Sequence, residues 1–197
     1  MPDEVERPGA TTLWFDVVDL LTRLALQARA GDTRALAGFV EAGYQEVWRF
    51  CASLVNEEAA DDLCQETFAR AVRALPRFRA ESTARTWLLS IARHTCSDEL
   101  RSRSRRRRQE AGAARGRPAV VVDPGGMVTL ADLLSNLQPD RRAAFVLTQV
   151  VGLSYQEAAT VCACPTGTVR SRVARARADL VNLVERATLG ELSRHRA

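Results

Sequence analysis

The stretch that decides the fold of the C-terminal part of the chain is SYQEAATVCACPTGTVRSRVARAR, residues 154–177. Ser154 and Glu157 match the S-x-x-E capping box, which predicts a short helix that begins here and ends near Ala163. Pro165 predicts the start of a second helix, because proline is favoured in the first turn of a helix. A short capped helix, a tight turn and a longer helix are the layout of a helix-turn-helix, whose second helix enters the major groove of DNA.

The longer helix, predicted from about 166 to 187, has two unlike faces. At about 100° per residue, apolar side chains such as Val169 and Val173 fall on one side, where a core can cover them. Small side chains and arginines fall on the opposite side, where Ser171 lies between Arg170 and Arg175. Small residues beside arginine allow a close approach to base edges, which arginine can read. This face is therefore predicted to contact duplex DNA.

Hydrophobic periodicity predicts four helices upstream, within residues 13–108. The first covers about 13–30, the second runs from the N-cap Asp32 to about Cys51, and the third runs from about Glu57 to Leu75, where Pro76 ends it. The fourth begins near Ala84 and has an apolar face. The opposite side of this helix carries a polar stripe able to follow a phosphate backbone, made of Arg93, Ser97, Arg101, Ser104 and Arg108.

Composition divides the chain into segments. Residues 1–12 lack periodicity and are predicted to be disordered, and residues 109–127 are predicted to form a flexible linker rich in Arg, Gly and Pro. The helical pattern resumes over 128–190, and 191–197 remain as a tail. Low aromatic content and abundant Ala, Leu and Arg favour helices over strands. The fold class is therefore predicted to be all-α, with two small helical domains joined by the linker.

Charge is distributed unevenly along the chain. Residues 1–66 have a net charge of −8 and residues 67–197 a net charge of +12, and all 28 basic residues are Arg. Eight of these arginines lie between 101 and 117. An acidic front and a basic remainder indicate two kinds of partner, a basic protein surface and a polyanion.

Other features exclude several classes of protein. No segment reaches the run of about 18 apolar residues that a membrane span needs, and the N-terminus does not resemble a signal peptide, so we expect a cytoplasmic protein without membrane insertion. Five cysteines, an odd number, with two His argue against a disulfide framework or a structural zinc site, so neither a metal nor a cofactor is expected.

Two sets of residues resemble the extracytoplasmic-function (ECF) class of bacterial sigma factors, members of the sigma-70 family. Residues 152–159, GLSYQEAA, and 164–177, CPTGTVRSRVARAR, look like the C-terminal helix-turn-helix of that class. Residues 61–68, DDLCQETF, look like its polymerase-binding helix, and residues 86–93, TWLLSIAR, look like its helix that reads melted DNA. The resemblance covers about residues 20–108 and 128–187, and the C-terminal sequence is most similar to that of actinobacterial members.

The resemblance implies roles for both domains. A sigma-4-like domain at 128–190 would read the −35 promoter element as duplex, through Thr168, Arg170, Ser171, Arg172, Arg175 and Arg177. Of these, Arg172 and Arg177 lie on the flanks of the exposed face and are better placed for phosphates. Ala174 is smaller than the residue that some members have at its position, which leaves one base contact open.

A sigma-2-like domain at 13–108 would bind the polymerase clamp and capture unpaired bases of the −10 element. The implied polymerase-binding residues are Asp61, Asp62, Gln65 and Glu66. The implied −10 residues are Phe78, Ser82, Arg93, His94, Ser97 and Arg101. For His94, a base contact and a purely structural place on the helix flank remain equally open. Core RNA polymerase and promoter DNA are the implied partners, and members of the class are often held by an anti-sigma protein.

Two other classes of protein are alternatives to a sigma factor. A helix-turn-helix regulator that is not a polymerase subunit would explain residues 128–187 but leave the N-terminal motifs without a role. An enzyme is not expected, because the sequence has no P-loop, no GxSxG motif, no metal-ligand spacing and no His placed to serve a nucleophile. Association with core RNA polymerase distinguishes a sigma factor from both.

Overall fold

A computed structural model describes residues 10–113 and 130–194, with side chains described for 20–110 and 130–186. Within these ranges the chain is built from helices and short connections, without strands, which confirms the all-α prediction. The eight α-helices are α1 Ala10–Arg29, α2 Thr33–Leu54, α3 Ala60–Ala74, α4 Ala84–Ala113, α5 Leu130–Ser135, α6 Pro139–Phe145, α7 Tyr155–Cys162 and α8 Thr166–Arg194. A 3₁₀ turn, Leu75–Arg77, follows α3, and a π-helical turn, Val146–Val150, follows α6.

The predicted helix starts have the expected caps. The side chain of Asp32 accepts hydrogen bonds from the backbone N–H groups of Arg34, at 2.8 Å, and Ala35, at 3.0 Å. The Ser154 hydroxyl and the Glu157 carboxylate form the reciprocal capping box at the start of α7. Both caps satisfy N–H groups that have no partner inside the helix, and they fix where α2 and α7 begin.

Some predicted boundaries differ from the structure. Helix α1 begins at Ala10, inside the segment predicted to be disordered, while residues 1–9 lie outside the described residues. Helix α4 continues to Ala113, into the predicted linker, because Gln109, Glu110 and Ala111 all have good helix propensity. The remainder of that linker, 114–127, also lies outside the described residues. Helix α8 runs to Arg194, past the predicted limit of the domain at 190, and 195–197 are not described.

The N-terminal core lies between α1, α2, α3 and α4. The ring of Phe39 meets that of Phe68 edge to face, with centroids 6.2 Å apart. A Cβ atom on Gly43 would lie 2.9 Å from Leu88 Cδ2, so the absence of a side chain lets α2 approach α4 closely. On the predicted apolar face of α4, Ala84, Leu88 and Thr95 are buried and Trp87 and Ile91 are half-buried. The buried surface of α4 is wider than predicted, because Leu89, Ala92 and Cys96 are buried as well.

The C-terminal domain packs against α4 rather than standing apart from the N-terminal domain. Its own core contains Leu134, Leu147 and Val161, and these residues join the N-terminal core in one continuous apolar cluster. Polar contacts cross the same boundary: Arg85 Nη2 donates to Val151 O at 2.7 Å, and Arg142 Nη1 donates to Leu54 O at 2.6 Å. The described helices include none with the length and apolar run needed to cross a bilayer.

Candidate nucleic-acid and polymerase interfaces

The first candidate site is the outer face of α8, which the turn after α7 sets in place. Ala163 ends α7 in the left-handed conformation, with φ of 50°, and α8 begins three residues later. Val169 and Val173 are buried against the domain core. Arg170 and Arg175 are exposed on the other side, as the helical wheel predicts. The structure therefore presents the predicted −35 face to solvent.

The residues predicted to read bases have few partners within the protein. Arg170 lies over the ring of Tyr155, with its guanidinium carbon 5.8 Å from the ring centroid. The Ser171 hydroxyl donates to Thr168 O at 2.9 Å, inside α8. Arg175 is exposed and has neither an ion pair nor a side-chain hydrogen bond among the residues described. Most N–H donors on this face are free to bind a ligand.

The two flanking arginines are held by other residues. Arg172 Nη2 donates to Asp140 Oδ2 at 2.6 Å, and its Nη1 lies 3.6 Å from Cys164 Sγ. Arg177 Nη2 donates to Gln149 Oε1 at 2.7 Å. These contacts connect α8 to the α6 region and keep both guanidinium groups at the edges of the exposed face.

The second candidate site is the polar stripe of α4, and here the arginines differ in exposure. Arg93 Nε donates to Val161 O at 2.9 Å and its Nη2 to Cys162 O at 3.5 Å. These carbonyls end α7, where the helix dipole is negative, so a guanidinium is favoured there. Arg101 is exposed and lies 3.5 Å from Asp98 Oδ1. The C-terminal domain thus covers one end of the stripe and leaves the other accessible.

The remaining residues predicted to contact the −10 element fall into two groups. His94 is exposed, with Nδ1 2.8 Å from Ser90 O, while Ser82 and Ser97 are half-buried. Phe78 is only 3% exposed, and its ring packs on that of Trp87 with centroids 4.9 Å apart. The structure therefore places the Phe78 ring in the core, not on the surface shared by the other predicted residues.

The third candidate site is the N-terminal half of α3, where the predicted polymerase-binding residues lie. Asp61 Oδ1 accepts hydrogen bonds from Tyr44 Oη and from Trp48 Nε1, both at 3.0 Å. Asp62 and Gln65 are exposed and have no side-chain partner among the described residues. Their side chains are the ones that a partner protein can reach without first breaking a contact.

Glu66 belongs to an ion-pair network that joins α3 to α4. Arg70 Nε lies 2.7 Å from Glu66 Oε1, and Arg70 Nη1 lies 2.9 Å from Asp98 Oδ2. Hydrogen bonds from Arg70 hold the pKa values of Glu66 and Asp98 below their usual range. Arg73 adds a longer contact to Glu66, at 3.7 Å. Glu66 therefore has a structural role beside any contact with a partner.

Several residues that shape these sites were missed by sequence reasoning. Tyr44 and Trp48 orient Asp61 from α2, and Arg70 bridges two acidic residues on different helices. Tyr155 lies next to the cap residue of α7, and its ring contacts Arg170 fifteen residues further along the chain. A signal existed only for Arg70, which lies four residues after Glu66 on a predicted helix.

Burial raises the pKa of two cysteine thiols, to about 12 for Cys64 and about 11 for Cys162. A thiol with a raised pKa is a poor source of the thiolate that metals bind. Among the described residues, no group of three or more His, Cys, Asp or Glu is arranged to hold a metal ion.

Comparisons with known proteins agree with this arrangement. Residues 39–106 match the model for sigma-70 region 2, and residues 127–180 match the model for sigma-70 region 4. The chain is 48% identical over 170 residues to the ECF RNA polymerase sigma factor SigC of Mycobacterium tuberculosis, covering 83% of this chain and 90% of the relative. It is 38% identical over 136 residues to the ECF sigma factor EcfG of Rhodopseudomonas palustris, covering 66% of this chain and 73% of the relative.

Two solved structures have a similar fold. The first is CnrH in complex with the cytosolic domain of CnrY, with a TM-score of 0.66, 30% identity and coverage of 84% of this chain and 97% of that one. The second is the sigma factor RpoE in complex with the anti-sigma factor NepR from Bartonella quintana, with a TM-score of 0.54, 27% identity and coverage of 89% and 98%. Both sigma-70 regions are present in the predicted order, and the chain belongs to the ECF class of RNA polymerase sigma factors.

Proposed function

We propose that this sigma factor reads the −35 element through the outer face of α8, with Arg170, Ser171 and Arg175 as base readers and Arg172 and Arg177 as phosphate contacts. The observation that carries the proposal is the exposed arc of α8, on which Arg175 has no partner among the described residues. A free guanidinium presents its donors as a planar fork that matches guanine O6 and N7. Thr168 lies in the first turn of α8, where the positive end of the helix dipole favours a phosphate, although its own N–H donates to Pro165 O at 2.9 Å.

The polar stripe of α4 is proposed to contact the −10 element after melting. Arg101 on this stripe is exposed, Ser97 is half-buried, and His94 is exposed beside the stripe. Arg93 becomes available to DNA only if its hydrogen bonds to Val161 O and Cys162 O are released. An unpaired base exposes its hydrogen-bonding edge, and polar side chains on this stripe can bind that edge selectively.

Polymerase binding is proposed to involve the exposed acidic face of α3. Asp62→Arg should weaken the affinity for core RNA polymerase without unfolding the chain, because Asp62 is exposed and has no described partner. Glu66→Arg should weaken it too, but it also removes the ion pair with Arg70. Glu185→Arg, an exposed acidic residue on α8, is the matched control. Equal affinities for Asp62→Arg, Glu185→Arg and the unmodified chain would contradict this assignment.

Run-off transcription with core RNA polymerase, on a library randomised at −35 and −10, tests the function as a whole. A sigma factor gives transcripts that depend on both the added chain and the promoter. A regulator that is not a polymerase subunit gives none, and neither does an enzyme. We place its action in the cytoplasm, with the polymerase, and assign it no catalytic activity, since sigma factors are non-catalytic initiation factors.

An anti-sigma protein is proposed as a further partner. Support comes from the two similar solved structures, in which CnrH is in complex with the cytosolic domain of CnrY and RpoE with the anti-sigma factor NepR. Affinity purification of the full chain from its own cells, in the absence and presence of stress, tests this. Recovery of core polymerase subunits alone, under every condition, would count against such a partner.

A further inference from the structure

We infer that Tyr155 is a positioning residue that sets the base preference of Arg170. This inference rests on the proposed function, in which Arg170 reads the −35 element. Tyr155 is the first residue of α7, and Arg170 lies on the exposed arc of α8. The guanidinium carbon of Arg170 lies 5.8 Å from the centroid of the Tyr155 ring, within the range of a cation–π contact.

The ring is itself held in a fixed place. Ser154, the residue before it, forms the capping box with Glu157, in which Ser154 N donates to Glu157 Oε2 at 2.8 Å. Tyr155 is half-buried and packs against the apolar cluster of the domain. Because the capping box fixes the backbone and the ring packs against the apolar cluster, the ring gives Arg170 a stable contact surface.

A ring holds an arginine in a different way from a carboxylate. Asp140 accepts directly from Arg172 at 2.6 Å, and this contact uses one of the N–H donors that Arg172 would need for a base. Arg170 makes no side-chain hydrogen bond among the described residues, so the contact with Tyr155 leaves its N–H donors unused. Arg170 can therefore be oriented before DNA arrives and still form a bidentate pair with guanine O6 and N7.

Arg175 provides the internal comparison. It is exposed on the same helix, and no aromatic ring or acidic group holds it among the described residues. Loss of the Tyr155 ring should therefore reduce discrimination at the base pair read by Arg170 and leave the base pair read by Arg175 unchanged. A cation–π contact at an exposed site corresponds to a change of about threefold.

The test measures base preference by the reconstituted holoenzyme on a −35 library, with Arg170→Ala and Arg175→Ala locating the two base pairs. Tyr155→Phe keeps the ring and should retain the preference. Tyr155→Leu should lower discrimination about threefold at the Arg170 position alone, and should have no further effect in an Arg170→Ala background. If Tyr155→Leu lowers the thermal stability of the chain, the same measurement is made with Tyr155→Met, which also removes the ring.

Each other outcome has a definite meaning. If Arg170→Ala relaxes one position and Tyr155→Leu does not, the positioning role is overturned while the proposed function stands. If Tyr155→Phe lowers discrimination as much as Tyr155→Leu, the hydroxyl rather than the ring is responsible, and the inference is again overturned. If Arg170→Ala relaxes no position, the assignment of Arg170 as a base reader fails together with the inference.

Discussion

Helices α8 and α4 both carry arginines on one polar face, yet the two faces are in different situations. On α8, Arg175 has no described partner and Arg170 rests on an aromatic ring. On α4, Arg93 is bonded to two backbone carbonyls at the end of α7. A polar face on a helix is therefore not always accessible to a binding partner. The proposed −35 face on α8 is exposed in this arrangement of the domains, and one end of the proposed −10 face on α4 is covered.

The largest effect is expected from removing the free arginine of α8. Arg175→Ala should lower the preference for a cognate −35 duplex over a scrambled one about tenfold, because one bidentate contact with guanine contributes about 1–3 kcal/mol. Affinity for the scrambled duplex should stay nearly the same. Binding isotherms of the full chain on both duplexes, at several salt concentrations, measure this directly.

Arg172→Ala and Arg177→Ala serve as controls on the same helix. Their loss should weaken binding to both duplexes and flatten its salt dependence, because phosphate contacts release counterions whatever the sequence. If Arg175→Ala weakened both duplexes equally, the division of α8 into base readers and phosphate contacts would be wrong.

On α4, a smaller effect is expected, and it concerns the stability of the fold rather than DNA recognition. Arg93→Ala removes hydrogen bonds to Val161 O and Cys162 O, so the free energy of unfolding should fall by about 1 kcal/mol. The −35 preference should be unaffected. Arg101→Ala is the matched control, since Arg101 is exposed and has only a 3.5 Å contact with Asp98. Urea unfolding of the three chains measures the difference, and equal loss in both variants would mean that the contact with α7 adds no stability.

Local patterns in the sequence account for most of the fold. The caps at Asp32 and Ser154 were predictable because a single residue type at the right position satisfies the helix terminus. The same holds for the exposed arc of α8, since the periodicity of buried Val169 and Val173 leaves one orientation for the rest of the helix.

What sequence could not predict depends on contacts between distant residues. The contact of Arg93 with α7 joins residues 68 and 69 positions apart, and helical periodicity contains no information about it. The burial of Phe78 is a second case: the resemblance implied a contact with the −10 element, but the Phe78 ring is buried and packs on Trp87. The extension of α4 past residue 108 is a third, because propensity continued the helix where periodicity had ended.

A weaker effect than that of Arg93→Ala is expected from replacing Arg70, which links α3 to α4, and it concerns stability in acid. Arg70 lowers the pKa values of Glu66 and Asp98 in the folded chain, so the stabilisation is present above their unfolded pKa values, near 4, and is lost as pH falls through the folded ones. Arg70→Met should therefore move the midpoint of acid unfolding to higher pH. Circular dichroism between about pH 6 and pH 2 measures it. An unchanged midpoint would show that these exposed pairs contribute nothing.

The smallest effect concerns the two turns that lead into the compared faces. Ala163, before α8, and Ala80, before α4, have positive φ angles of 50° and 56°. Alanine pays about 1 kcal/mol for this conformation, while glycine adopts it freely but loses more entropy on folding. Ala163→Gly should therefore raise the free energy of unfolding by about 0.5 kcal/mol, and Ala80→Gly by a similar amount. Both residues are exposed, so neither change removes a buried methyl group.

Ala178→Gly, at an exposed site inside α8, is the control and should instead lower stability by about 1 kcal/mol. Chemical denaturation of the three variants gives the comparison. A loss of stability in Ala163→Gly would mean that the left-handed turn is not strained by its alanine.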